Sequence, residues 1–156
     1  MQIDYLANWP ALIPELAGLL YQEWADLYQA AGIDEAQLQQ VLTERTTVDT
    51  LPMTLLLVND GALVGAGSIK LTEPGTKEGL SPWLAGILVK PQYRGLGFGR
   101  DIVLALEEKA RQLGVEALYL SADTEVDFYL ALGWQVLERV ESLGVRNVAL
   151  MSKRLV

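Results

Sequence analysis

Seven consecutive residues without a polar side chain, Trp83-Leu84-Ala85-Gly86-Ile87-Leu88-Val89, constrain the fold of this chain more than any other segment. A strand with one wet face alternates apolar and polar residues, whereas a strand covered on both faces reads as an unbroken apolar run. Pro91 stops the run. Arg94-Gly95-Leu96-Gly97-Phe98-Gly99-Arg100 follows, and apolar residues then return at helical spacing from Phe98 to Leu113, at Ile102, Val103, Leu106, Ala110 and Leu113. The segment predicts a buried strand, a glycine-rich turn and a helix in direct succession. A strand buried on both faces needs helices on both sides of its sheet, so the expected class is a layered α/β domain.

The rest of the chain supplies the other parts of such a domain. Gln2 to Leu6 reads as a short first strand. Asn8 is a plausible cap and Pro10 a plausible first-turn residue for a helix whose apolar face runs through Leu12, Leu16, Leu19, Leu20, Trp24, Leu27 and Ala31 to an end near Gly32. Asp34 with Gln37 three residues on resembles a capping box and opens a second helix through Leu38, Val41 and Leu42. Leu55 to Val58 and Ala62 to Leu71 flank Asn59-Asp60-Gly61, a hairpin signal. Residues 73–82 read as an exposed loop, Ala117 to Leu120 as a fifth strand, Glu125 to Leu132 as a short helix, and 134–140 with 147–154 as a closing antiparallel pair. With 156 residues and neither repeat nor linker, the reading is a single domain over 1–156.

Composition narrows the chemistry. Cysteine and histidine are both absent, which excludes disulfides, thiol nucleophiles, histidine bases and thiolate or imidazole metal sites. The net charge is -8, all of it in residues 1–89, where three basic residues face eleven acidic ones; the remainder balances at nine against nine. Nucleic-acid binding would need a basic face, so no nucleic-acid partner is expected. The acidic half suits cationic small partners, or serves solubility. No segment approaches the length of a membrane span, and residues 1–5 lack the basic and apolar regions of a signal peptide. A cytoplasmic protein without a membrane partner is the expectation.

In this acidic chain, the turn at 94–100 collects Arg94 and Arg100, with Lys90 just before it. A strand end, glycines and a helix N-terminus converge backbone N–H groups on one spot, which is where phosphate binds. The glycine spacing does not fit a dinucleotide fingerprint, because Gly95, Gly97 and Gly99 alternate, nor a Walker loop, because no glycine precedes a lysine. It fits R-x-x-G-x-G.

With Val89-Lys90-Pro91-Gln92-Tyr93-Arg94-Gly95-Leu96-Gly97-Phe98-Gly99, and with Asp127-Phe128-Tyr129-Leu130-Ala131-Leu132-Gly133-Trp134 downstream, the chain resembles the GNAT family of N-acetyltransferases. Pro82-Trp83-Leu84-Ala85 and the ending Ala149-Leu150-Met151-Ser152-Lys153 are similar to a bacterial branch of that family with unassigned acceptors. The resemblance covers nearly the whole chain. It implies the acyl-CoA N-acyltransferase fold: a mixed, mostly antiparallel sheet of about six to seven strands, flanking helices, and a central strand, glycine turn and helix.

What the resemblance implies for function is transfer of an acetyl group from acetyl-coenzyme A (acetyl-CoA) to a primary amine on a small molecule, peptide or protein. The alternative is a non-enzymatic module that binds or senses acyl-coenzyme A. Arg94, Gly95, Leu96, Gly97, Phe98, Gly99 and Arg100 would hold the pyrophosphate. Ile87, Leu88 and Val89 would carry the pantetheine arm along the strand, with the Val89 N–H at the thioester oxygen. Tyr129 would be the general acid that protonates the leaving thiolate, or else a packing aromatic. No carboxylate lies on the central strand. Glu73 is named as the base, with Glu78, Asp123 and water as alternatives. Glu23, Trp24, Tyr28 and Trp83 could line an acceptor site that suits an ammonium group, although core packing explains the tryptophans equally well. No metal is implied, and the family pattern admits a homodimer paired through the apolar C-terminal strand.

Overall fold

In a computed structural model, which describes residues 1–156, the chain forms one seven-stranded sheet with helices on both faces. The strands are β1 (Gln2–Tyr5), β2 (Met53–Asn59), β3 (Ala62–Lys70), β4 (Trp83–Val89), β5 (Ala117–Ala122), β6 (Gln135–Ser142) and β7 (Arg146–Arg154). The helices are α1 (Ile13–Ala30), α2 (Glu35–Thr43), α3 (Phe98–Gln112) and α4 (Val126–Ala131). The sheet order is β1-β2-β3-β4-β5-β7-β6. Only the β4–β5 pair is parallel. None of the helices is long and apolar enough to cross a membrane.

Strand β2 explains the two-layer burial. Successive side chains of a strand point to opposite faces, and here Leu55 and Leu57 pack with Ile102, Val103 and Leu106 of α3, whereas Leu56 and Val58 pack with Leu16, Ala17 and Leu20 of α1 and Leu38 and Leu42 of α2. Both alternations are apolar because both faces are covered. Close approach of α3 depends on Gly65 and Gly67 in β3. A Cβ on Gly67 would lie 2.6 Å from Ile87 Cδ1 and 2.7 Å from Leu106 Cδ1.

Local signals hold where they are self-contained. Asp34 Oδ1 accepts from Gln37 N–H at 2.7 Å, and Gln37 Oε1 accepts from Asp34 N–H at 2.8 Å, completing the capping box of α2. Asp60 (φ 50°) and Gly61 (φ 79°) make the left-handed two-residue turn of the β2–β3 hairpin. The start of the first helix differs from the expectation. Short 3-10 turns span Leu6–Asn8 and Pro10–Leu12, and α1 begins only at Ile13. A helix opening at Pro10 would need an N–H from residue 14, and Pro14 has none, so Pro14 takes the first turn instead. Asn8 is not a cap: its amide, with the Trp9 indole, binds the carboxylate of Asp4 at 2.8 and 2.9 Å.

The C-terminal strand also differs from the sequence expectation. β7 lies between β5 and β6, hydrogen-bonded to both, so it has no free edge for pairing across a dimer; the sheet's free edges are β1 and β6. Beneath β7, the buried carboxylate of Glu107 accepts from Lys153 Nζ at 2.7 Å and from Trp134 Nε1 at 3.2 Å, joining α3 to the end of the sheet.

Glu107→Ala is expected to lower the unfolding free energy by about 3 kcal/mol in urea denaturation, because the Lys153 ammonium loses its counter-charge and keeps only the Leu132 carbonyl, and the Trp134 indole N–H loses its acceptor. Glu107→Gln, which keeps an acceptor, should cost less. Two glycine changes should have opposite signs in the same measurement. Gly18 lies inside α1 with open space at its Cβ position, so Gly18→Ala should stabilise by roughly 0.5–1 kcal/mol. Gly86 is held at φ +64°, so Gly86→Ala should destabilise by about 1–2 kcal/mol.

Candidate active site

Strand β4 has a partner along one side and lacks one along most of the other. It pairs with β3 over its length, but with β5 at a single position, Trp83 opposite Tyr119. Beyond that point β4 and β5 diverge. Parity identifies the backbone groups left in the gap. The Lys90 N–H donates to Val64 O at 2.9 Å, so Lys90 and Leu88 face β3; Val89, and Ile87 before it, direct their N–H and C=O toward the gap. A bulge assists the divergence, since the pairing steps from Ala66↔Leu88 to Ser68↔Ala85, three residues on β4 against two on β3. Gly86 sits in that bulge in the left-handed region that glycine tolerates.

The turn after β4 closes one end of the gap. Gly95 (φ 76°) and Gly97 (φ 86°) are both left-handed, and a Cβ at either position would meet nothing within 4 Å. Their requirement is therefore one of backbone conformation, which glycine adopts without a Cβ penalty. Gly97 precedes α3, and no side chain caps that helix. Its first N–H groups remain available to an anion. Arg94 Nε donates to Val89 O at 2.9 Å and ties the turn to the strand end. Lys90 does not join this cluster; its ammonium pairs with Glu15 on α1.

A cleft of about 600 Å³ runs from this turn along the gap. Ile87, Leu88, Val89, Arg94, Gly95, Gly97, Phe98, Gly99, Arg100 and Tyr129 all line it, as do Glu23 and Trp24. Leu96 does not; its side chain is 64% exposed on the outside of the turn. Tyr129 comes from α4 and is wedged edge-on between Phe128 and Trp134, with ring centroids 5.0 and 6.0 Å away. Burial pushes its phenol well above the ordinary value, with a smaller push from Glu125. The hydroxyl makes no hydrogen bond within the chain, yet no sealed side-chain polar atom lacks a partner, so it opens onto the cleft.

At the far end, α1 kinks at Trp24 (φ -126°, ψ 33°). Arg146, at the start of β7, grips Asp26 with a two-pronged pair at 2.8 Å each, lies 3.5 Å from Asp123, and reaches the Glu23 carbonyl at 3.4 Å. A side chain that takes a helix carbonyl is a physical cause of kinking. The guanidinium also holds the Asp26 carboxyl below its usual value. Nothing near residue 146 marked it in the sequence as a cleft residue.

The remaining candidates fall elsewhere. Tyr28 and Glu73 line a second cavity of about 160 Å³ that meets the cleft at Trp24, Ala85 and Gly86. Glu73 is paired with Lys70 at 3.1 Å. Glu78 lines neither space, and Asp123 lines the cleft beside Arg146. Trp83 is fully buried against Val148 and Leu150, its indole bound to the Leu80 carbonyl at 2.6 Å. It packs in the core rather than lining either space.

Comparison with known proteins agrees with this geometry. Residues 13–134 match the model of the acetyltransferase (GNAT) family. The chain is 30% identical over 103 residues to N-alpha-acetyltransferase 80 of Mus musculus, covering 64% of this chain and 33% of that protein, so it spans a third of that relative's length. It is 27% identical over 128 residues to glucosamine 6-phosphate N-acetyltransferase of Trypanosoma brucei brucei, covering 81% of this chain and 76% of the relative. The fold superposes on a crystal structure of aminoglycoside 6'-N-acetyltransferase complexed with coenzyme A with a TM-score of 0.77 at 17% identity, over 100% of this chain and 98% of the other. Family match, sheet order and the split beside a glycine turn agree: this chain belongs to the GNAT family of acetyltransferases.

Proposed function

We propose that this chain moves the acetyl group of acetyl-coenzyme A to a primary amine by direct attack on the thioester, in the gap between β4 and β5. One observation carries the reading: a single cleft is lined by the glycine turn, by the unpaired edge of β4 and by the open hydroxyl of Tyr129. The turn and the α3 N-terminus would take the pyrophosphate, assisted by Arg94 and Arg100. The pantetheine amides would complete the ladder that β5 leaves unmade, bonding to Ile87 and Val89 as an added strand would.

The chemistry then needs few side chains. The amine nitrogen bonds to the carbonyl carbon, and the Val89 N–H stabilises the oxyanion as it forms. Collapse breaks the carbon–sulfur bond; the thiolate takes the Tyr129 proton, and the nitrogen gives its proton to water. Tyr129 suits the task because burial keeps the phenol protonated through the physiological range. Water is preferred as base. Glu73 is in the adjoining cavity with its carboxylate held by Lys70, and Asp123 is engaged by Arg146. The relatives' names carry different acceptors, among them glucosamine 6-phosphate and an aminoglycoside; their common feature is an amine.

Tyr129→Phe is expected to lower kcat by about 100-fold or more while leaving acetyl-coenzyme A affinity within about twofold. An unchanged kcat would remove Tyr129 from the reaction and leave protonation of the thiolate to water; tight acetyl-coenzyme A binding with no turnover of any amine would favour a module that binds acyl-coenzyme A without catalysis. The pH profile checks the same residue. A general acid works protonated, so a raised pKa extends its range upward, and the wild-type kcat should show no Tyr129-dependent alkaline fall below about pH 10. An alkaline limb centred below that pH, present in the wild type and absent in Tyr129→Phe, would keep the acid role and contradict the burial-raised phenol.

A further inference from the structure

The second cavity differs from the cleft in its charge. Its charged lining consists of Arg45, Lys70 and Glu73, two positive groups against one negative, in a chain of net charge -8. Lys70 and Glu73 pair with each other, and Glu73 also acts on Arg45 from beyond ion-pair distance. Arg45, two residues beyond α2, takes part in no ion pair, and its one side-chain hydrogen bond runs from Nη1 to Ser68 Oγ at 3.3 Å. A guanidinium carries five donors in a planar fork, so four remain without a partner in the chain.

The support beneath Arg45 is built for it. Ser68 Oγ lies 2.6 Å from Thr54 Oγ1, and these are two of the four buried polar side chains in the chain. Thr54 and Ser68 face each other across β2 and β3. Two apolar residues there would pack the strands without any desolvation cost. The hydroxyl pair instead seats the guanidinium at the wall of a cavity that opens beside the β4 bulge. Tyr28, in the same wall, is pushed up to about 12 by burial and so remains a neutral hydrogen-bond donor.

We propose that the acceptor carries, besides its amine, an anionic carboxylate or phosphate group that Arg45 binds in this second cavity. The proposal rests on the acetyl-transfer reading, with the amine at the bulge of β4 and the anion beyond it. An arginine fork matches either oxyanion. It differs from the ammonium site expected from Glu23, Trp24 and Tyr28, because the free charge in this cavity is positive.

The test compares matched amines with saturating acetyl-coenzyme A: alanine and 4-aminobutyrate against their carboxamides for the carboxylate, and 2-aminoethyl phosphate against 2-aminoethanol for the phosphate. At least one anionic member should exceed its neutral partner in kcat/KM by about 10- to 100-fold. Arg45→Gln should abolish that preference and Arg45→Lys should keep part of it, both with unchanged acetyl-coenzyme A affinity. If Arg45→Gln fails to fold, Ser68→Ala, which removes only the seat, should weaken the same preference. Equal rates within every pair, or a preference that survives Arg45→Gln, would overturn the proposal while leaving acetyl transfer intact. If nothing is acetylated, the same pairs are compared by chemical-shift titration. Anion-dependent binding lost in Arg45→Gln would then support the anion site and count against the catalytic reading, and its absence would overturn the anion site.

Discussion

The proposed chemistry depends on strand β4 keeping one edge without a partner strand. Buried backbone N–H and C=O groups rarely lack partners, because each one left bare costs about as much as a lost hydrogen bond. Here the parallel pair β4–β5 is made at Trp83 and then abandoned, so Ile87 and Val89 face a gap in the middle of the sheet. The divergence is built in. Trp83 anchors the strand's start in the core, and the Gly86 bulge redirects it. The α3 helix, packed closely over Gly65 and Gly67, fixes the strand's other end. An extended ligand with amide groups is what such an edge lacks.

The electrostatics follow the same division of labour. The charged side chains that line the cleft balance, Arg94, Arg100 and Arg146 against Glu23, Asp123 and Glu125, so an anion held there would rely on the backbone N–H groups of the turn and the start of α3. Arg146 spends its charge on the protein itself, holding α1 to β7 through Asp26. Arg45 makes no such pair, and its guanidinium lines the second cavity beside the β4 bulge.

Much of the architecture was legible because its signals are short-ranged. The apolar run of β4, the capping box at Asp34 and the hairpin turn at Asp60-Gly61 each concern residues a few positions apart, and each is found where the pattern placed it. The glycine turn was legible for the same reason. The errors came where two local readings competed. Pro10 and Pro14 can each open a helix, and only the missing N–H of Pro14 decides between them. Trp83 fits a site or a core equally well until its neighbours are known. The two arginines that line the far end of the cleft and the second cavity had no local signal at all. Arg146 meets Asp26 across 120 positions and Arg45 meets Ser68 across 23, and no periodicity announces a contact of that kind.

The central claim is that coenzyme binding completes the unpaired edge of β4, and amide hydrogen exchange at single-residue resolution tests it most directly. Leu88, already bonded toward β3, should exchange slowly with or without acetyl-coenzyme A. Ile87 and Val89 should exchange faster in the free protein and slow by at least about tenfold when acetyl-coenzyme A is added, with no such change on adding NAD. Unchanged exchange at Val89 in protein saturated with acetyl-coenzyme A would contradict the account, because the ligand would then be bound somewhere other than this edge.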